Sequence, residues 1–340
     1  MNQIFLYRKE NEKVIKKVFL QAWILLMLLL TLSSPGADAL TPEKAGGVST
    51  EELWPERDGQ KIYGKLYLPE GAEAPLPLVL LSHGLGSDHR KMEPYAQRFA
   101  ENGFAAFVFD FIGGSEKSMS DGSMTDMSVL TEAEDLSFIL DFFRRDSRFS
   151  PDEIFLLGGS QGGFVSAYVA GTRPEEIAGL VLLYPALNLQ EICRALVTDT
   201  GEVPDSAVIG KHTVGAVYIR DMLGFDIYEV LRQYPGPVLL FHGTADPYVP
   251  LAYTQRAARV LADARTIIIE GAGHGFNGED RERAAWESAA LMQDILTKAG
   301  SDARAAACDE TGGAEAICLT KNRQRKPFCA MRKTMTPGTS

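Results

Sequence analysis

Ser160 stands in Gly158-Gly159-Ser160-Gln161-Gly162, a G-x-S-x-G pattern that follows the apolar run IFLL and opens a stretch of helical periodicity. In that strand-to-helix context the flanking glycines let the backbone turn sharply, so that the hydroxyl stands exposed above a helix N-terminus. A serine hydroxyl is a poor nucleophile at neutral pH until a neighbouring base takes its proton, so a histidine must come to it. His274, in Gly271-Ala272-Gly273-His274-Gly275-Phe276, directly follows the last apolar run of the strand series and is the candidate base. His83 and His242 lie at strand ends before glycines and read as structural, His89 follows the first loop, and His212 falls in an irregular interval. The acid that orients the imidazole should leave the preceding strand, which selects Asp246 in His242-Gly243-Thr244-Ala245-Asp246 and completes the chain order Ser, Asp, His. Asp110 precedes the nucleophile and reads as a loop-bonding carboxylate; Asp221 and Asp226 fall in the irregular interval. In His83-Gly84-Leu85-Gly86 backbone matters more than side chain: the amides of Leu85 and Gln161 are the candidate donors to an oxyanion. The blander alternatives are a chance glycine-rich turn around Ser160, a tight turn at HGLG, and a turn histidine at 274 bonded to backbone.

These residues need a scaffold, and the spacing of apolar runs supplies one. Leu78–His83, Ala105–Phe111, Ile154–Gly159, Leu180–Tyr184, Val238–Gly243 and Thr266–Gly271 are short continuous apolar runs, each ending in Gly, Asp, His or an aromatic residue. Amphipathic stretches such as Val129–Arg145 and Leu251–Ala262 separate them. Continuous apolar strands alternating with helices predict a doubly wound, mostly parallel α/β sheet covered on both faces. Upstream, Leu53–Leu68 reads as a hairpin around the Asp58-Gly59 turn. Residues 186–236 exceed an ordinary crossover and read as an insertion with helical pieces at Leu187–Val197, Val214–Leu223 and Ile227–Gln233. Long connections at the carboxyl edge of such sheets form lids or pockets. The catalytic domain is expected over residues 50–299, and residues 300–340 read as a flexible tail.

The 340-residue chain, 45% apolar and 23% charged, has an ordinary globular composition. Its net charge of −11 argues against a nucleic-acid backbone as partner and leaves a small organic molecule as the better fit. Residues 1–39 combine basic Arg8, Lys9, Lys13, Lys16 and Lys17, the apolar run Val18–Leu32, and the small-x-small ending Ala37-Asp38-Ala39. That pattern predicts a secretory signal peptide and export, secreted or periplasmic, with an uncleaved membrane anchor as the alternative. Of four cysteines, Cys308, Cys318 and Cys329 lie near the C-terminus, where an oxidising compartment permits a disulfide of undetermined connectivity. They form no close CxxC pairs and the five histidines are scattered, so no metal or cofactor is expected.

HGLGSDH, FVFDFIGGSEKSMSDGSMTDMSVLTEAEDL, LLGGSQGG, HGTADPYVP and GAGHGF together resemble the cinnamoyl (feruloyl) esterase branch of the α/β-hydrolase superfamily over roughly Leu53 to Leu296. The segment SDGSMTDMSVLTEAED and the insertion's Val203-Pro204-Asp205 and Val217-Tyr218-Ile219-Arg220 carry the likeness furthest. The resemblance implies the α/β-hydrolase fold, a triad of Ser160, Asp246 and His274, oxyanion donors at Leu85 and Gln161, and a lid over an acyl pocket, with Asp205 and Tyr218 as candidate substrate contacts. It also implies a small-molecule ester substrate of hydroxycinnamoyl or other small acyl type. The chain departs from relatives at Gly159, where they mostly carry histidine, and its insertion offers no aligned partner for a phenolic hydroxyl. A peptidase or acyltransferase is the alternative within this machinery, because a triad does not choose its acceptor, and a non-catalytic binding module is the alternative outside it. Halide and epoxide hydrolases are disfavoured, since they need a carboxylate where Ser160 stands.

Overall fold

The computed structural model describes residues 47–310, with side chains through residue 301. In chain order the strands are β1 (Val48–Leu53), β2 (Glu56–Arg57), β3 (Gln60–Lys61), β4 (Gly64–Pro69), β5 (Leu76–Ser82), β6 (Ala105–Phe109), β7 (Phe149–Gly159), β8 (Gly179–Leu183), β9 (Ser206–Ile209), β10 (His212–Gly215), β11 (Pro237–Gly243) and β12 (Asp263–Ile269). The helices are α1 (Glu93–Glu101), α2 (Val129–Arg144), α3 (Gln161–Thr172), α4 (Leu189–Leu196), α5 (Ala216–Leu223), α6 (Ile227–Leu231), α7 (Leu251–Val260) and α8 (Gly278–Glu310). Eight strands form one sheet in the order β1-β4-β6-β5-β7-β8-β11-β12. β1, β4 and β6 pair antiparallel, and every pair from β6 through β12 is parallel.

The continuous apolar runs exist because both faces of each central strand are buried. Along β5, Leu78 and Leu80 face one core with Phe107, Phe109, Leu156, Leu180 and Leu240. Val79 and Leu81 face the other with Val108, Leu157, Val181, Leu183 and Phe241. This is the two-residue alternation of a pleated strand, and each such fully buried side chain is worth about 1.5–3 kcal/mol. α2, α3, α7 and the insertion cover the first face, α1 and α8 the second. α2 starts where it does because Ser128 forms a capping box: its Oγ accepts from Leu130 N and Thr131 N, and Thr131 Oγ1 accepts from Ser128 N at 2.8 Å.

The Asp58-Gly59 turn forms as the dipeptide predicts, both residues having positive φ (52° and 81°), and joins β2 to β3 beneath the longer β1–β4 pairing. Within the insertion the sequence reading needs one correction. Val214 belongs to β10, which pairs with β9 through a Gly210-Lys211 turn with Gly210 at φ +63°, and the helix begins only at Ala216. The last helix also runs on through Glu310, into the segment expected to begin a flexible tail at residue 300. The proposed leader, Cys318 and Cys329 and the side chain of Cys308 lie outside the described residues. Among the described residues no helix is long and apolar enough to cross a membrane, and no cluster of three or more His, Cys, Asp or Glu has the placement to hold a metal.

Candidate active site

Four strand ends deliver the site to one rim of the sheet. β7 ends at Gly159, and Ser160 turns the chain into α3 with φ +55° and ψ −121°, a left-handed conformation that costs a non-glycine residue about 1–3 kcal/mol. The surrounding packing forces that turn. A Cβ on Gly158 would lie 2.1 Å from Gly162 O, and one on Gly162 would lie 2.3 Å from Ser82 O and 2.4 Å from His83 O. Only glycines let α3 press against the end of β5 this closely.

His274 Nε2 lies 2.9 Å from Ser160 Oγ, and His274 Nδ1 lies 2.7 Å from Asp246 Oδ2, although 114 and 28 residues separate the partners. The acceptor-only carboxylate puts the ring proton on Nδ1, leaving the Nε2 lone pair for the serine hydroxyl. Asp246, with a side chain only 1% exposed, is held at its other oxygen by the amides of Tyr248 (2.9 Å) and Val249 (3.0 Å). Burial alone would raise its pKa, but the His274 bond and those two amides outweigh burial and hold the carboxyl below its ordinary value. Tyr184 and Tyr248 stand edge-on to the imidazole, with centroids 4.8 and 5.4 Å away.

The loop after β5 crosses Ser160. A Cβ on Gly84 would stand 3.0 Å from Ser160 Cβ and 3.5 Å from its Oγ. Leu85 follows on that loop, and Gln161 is the first residue of α3, where a helix N–H has no intrahelical acceptor. Gly86 N donates to Gly114 O and Ser87 N to Gly84 O, which pins the loop.

The remaining histidines sort as follows. His83 donates from Nδ1 to Gly84 O (2.9 Å) and accepts from Phe111 N (3.2 Å); His242 donates from Nε2 to Val249 O (2.8 Å) while Thr254 bonds its Nδ1. Burial pushes the pKa of both rings down, so both are neutral structural residues. His89 pairs through Nδ1 with Asp110 Oδ1 at 2.9 Å, and Asp110 also accepts from the amides of His89 and Met119, so Asp110 is the loop-bonding residue expected, with a histidine partner that sequence reasoning missed. His212, on β10, rests on the loop after β5: a Cβ on Gly86 would strike its ring at 2.0 Å.

The insertion packs against this rim. The Ser128 hydroxyl bonds the Asp221 carboxylate, Asn188 Nδ2 donates to Tyr248 O, and a Cβ on Gly215 would meet Thr125 O at 2.0 Å. Of the two insertion residues expected to face substrate, Asp205 is exposed and accepts from Ala216 N through its main chain. Tyr218 is corrected: it is wholly buried, and its hydroxyl donates to Gln161 Oε1 at 2.5 Å, because a phenol that enters the core must find an acceptor there. Glu132, which sequence reasoning did not single out, holds the other end of the Gln161 amide. Asp226 caps α6 and sits near Arg256, and Asp221 bonds Ser128, so neither reaches the imidazole.

Comparison with known proteins agrees with this frame. A family model described as "Serine aminopeptidase, S33" matches residues 73–212, and one described as "TAP-like protein" matches residues 227–308. The monoglyceride lipase of Rattus norvegicus is 28% identical over 130 residues, 38% of this chain and 41% of that protein. The acylamino-acid-releasing enzyme of Sus scrofa is 23% identical over 249 residues, 66% of this chain and 32% of that protein. The matches thus span about two fifths or less of these curated relatives. Est1E from Butyrivibrio proteoclasticus, solved with ferulic acid bound, superposes with a TM-score of 0.66 at 22% identity, covering 72% of this chain and 99% of that one. With the sheet order, the strand-to-helix turn at Ser160 and the likeness to Est1E taken together, the chain has the α/β-hydrolase fold.

Proposed function

We propose that this protein is a serine carboxylic-ester hydrolase that works through an acyl-serine intermediate. The observation that carries the reading is the unbroken line Asp246 Oδ2, His274 Nδ1, His274 Nε2, Ser160 Oγ, with both links at hydrogen-bond length. Ser160 Oγ attacks the ester carbonyl as its proton passes to His274 Nε2, and the imidazolium is stabilised by Asp246. The oxyanion is held by the main-chain N–H groups of Leu85 and Gln161. The proton then passes from His274 to the leaving alcohol, and water attacks the acyl-serine by the same relay in reverse.

The substrate class we propose is an ester of a hydroxycinnamoyl or other small acyl group, held between the insertion acting as a lid and the rim of the sheet. Support comes from the fold likeness to Est1E, a protein solved with ferulic acid, and from the seating of His212 on the loop after β5. We further propose export, on the basic and apolar N-terminal pattern. A peptidase reading is favoured by the aminopeptidase description of the matching family model. A panel of methyl hydroxycinnamates, short aliphatic esters and a dipeptide amide separates the two. The esterase reading expects turnover of an aryl or methyl ester, with a burst of alcohol and its loss in Ser160→Ala together with loss of fluorophosphonate labelling. Unchanged turnover in Ser160→Ala refutes it.

A further inference from the structure

The chemistry proposed above uses only the main-chain N–H of Gln161, yet its side chain is also held, inside the core. Gln161 is 1% exposed, and both ends of its amide are bonded inside the core: Nε2 donates to Glu132 Oε2 at 2.8 Å, and Oε1 accepts from the Tyr218 hydroxyl at 2.5 Å. The three residues come from three elements, the first turns of α2 and α3 and the insertion's α5. Gly162 and Gly163 follow, so Gln161 carries the one side chain that can tether the first three residues of α3.

Glu132 is 1% exposed, and its Oε1 has no hydrogen-bond partner among the described residues. Burial pushes its pKa well above the usual carboxylate range; the bond from Gln161 opposes that and the charge of Asp135 adds to it. Burial and the unpaired Oε1 favour the neutral acid over the carboxylate at this position.

We propose that Glu132 and Tyr218 are positioning residues: through the Gln161 side chain they hold the Gln161 main-chain N–H on the oxyanion, and Tyr218 ties that donor to the seating of the insertion. The proposal rests on the serine-hydrolase reading. Loss of either partner leaves one end of a buried amide unpaired, so the side chain turns to find another bond and carries its own N–H with it.

The test compares Tyr218→Phe, Glu132→Leu, Glu132→Gln, the Tyr218→Phe/Glu132→Leu double variant and Ser160→Ala on the full chain with an aryl ester, alongside thermal melts. Tyr218→Phe and Glu132→Leu are each expected to lower kcat about tenfold, short of the roughly 10²–10³ lost with a whole oxyanion donor, with KM changed less than about twofold. The double variant is expected to lose about as much as one single variant, since both act through Gln161. Glu132→Gln, which keeps an acceptor for Nε2, is expected to restore most of kcat. Wild-type kcat in both single variants overturns the proposal, as does Glu132→Gln as impaired as Glu132→Leu, or a loss of rate matched by the loss of folded protein. Activity in Ser160→Ala refutes the serine reading itself, whereas an inactive Ser160→Ala beside fully active Tyr218→Phe and Glu132→Leu refutes only the positioning role.

Discussion

Asp246→Asn is the sharpest perturbation the geometry offers, because it changes one atom and reverses one hydrogen bond. The carboxylate makes three bonds: Oδ1 accepts from Tyr248 N and Val249 N, and Oδ2 meets His274 Nδ1 at 2.7 Å. In the asparagine variant the carbonyl oxygen keeps the two amides, so the NH2 group falls opposite Nδ1. Donor then faces donor, and the imidazole relieves the clash by moving its proton to Nε2. That N–H now points at Ser160 Oγ across 2.9 Å and cannot accept the serine proton. A wrong tautomer in a serine triad costs about 10⁴ in kcat, or about 5 kcal/mol at 1.36 kcal/mol per decade. Two of three bonds survive, so the melting temperature should move little. Steady-state hydrolysis of a p-nitrophenyl ester, with burst amplitude and circular dichroism as controls, measures the effect. Asp226→Asn, which touches only the cap of α6 and the neighbouring Arg256, is the comparison and should keep the wild-type rate. A folded Asp246→Asn within about tenfold of wild type, or an equal loss in Asp226→Asn, refutes the assignment of the orienting acid.

Three further outcomes follow from packing and charge. Gly162→Ala drives a Cβ to 2.3 Å from Ser82 O, against rigid backbone, and should destabilise the fold by about 3 kcal/mol or abolish soluble expression, whereas Gly159→Ala meets side chains alone, the terminal methyl of Met92 at 2.8 Å and the Tyr184 hydroxyl at 3.2 Å, and should cost about 1 kcal/mol in urea unfolding; equal effects would contradict the packing. Gly86→Ala adds a Cβ at φ +63° where the His212 ring stands, so it should displace the β9–β10 hairpin and cut ester turnover; a fully active, fully stable variant argues against contact between hairpin and loop. Asp135, raised by burial to about 7 against the pull of Arg57 and the Ile112 amide, binds a proton in the folded state that the unfolded chain releases near pH 4. Its stabilising contribution is therefore complete below about pH 4 and lost as pH rises towards 7, so the stability difference between Asp135→Asn and wild type should change over that window and be flat outside it; a difference constant from pH 4 to 7 is the contrary result.

The sheet was legible because its signals are local. LVLLS, AAFVF, IFLLGG, LVLL and VLLFHG are each apolar on both faces, and each pairs parallel with at least one neighbour, AAFVF pairing antiparallel with β4 on its other side. Asp58-Gly59 announced its turn, and Ser160, Asp246 and His274 could be paired in sequence because each residue leaves a recognisable strand end; the structure brings the three side chains within hydrogen-bond distance. The β9–β10 hairpin was missed although Gly210-Lys211 marks it, since strands of four residues carry too little alternation to compete with the helical pattern that follows.

The sequence alone determined which segments become the central strands of the sheet, and that Ser160, Asp246 and His274 stand at strand ends. Only the tertiary structure decided what those segments face. Tyr218 sends its hydroxyl to Gln161, 57 residues away, rather than to a pocket, and Glu132, an ordinary acid on a helix face in sequence, meets the same residue across 29 positions as a buried group. Periodicity records how much of a local element is hidden from water; the identity of the atoms that hide it depends on how distant elements close over one another, and a buried polar group is defined by those atoms alone.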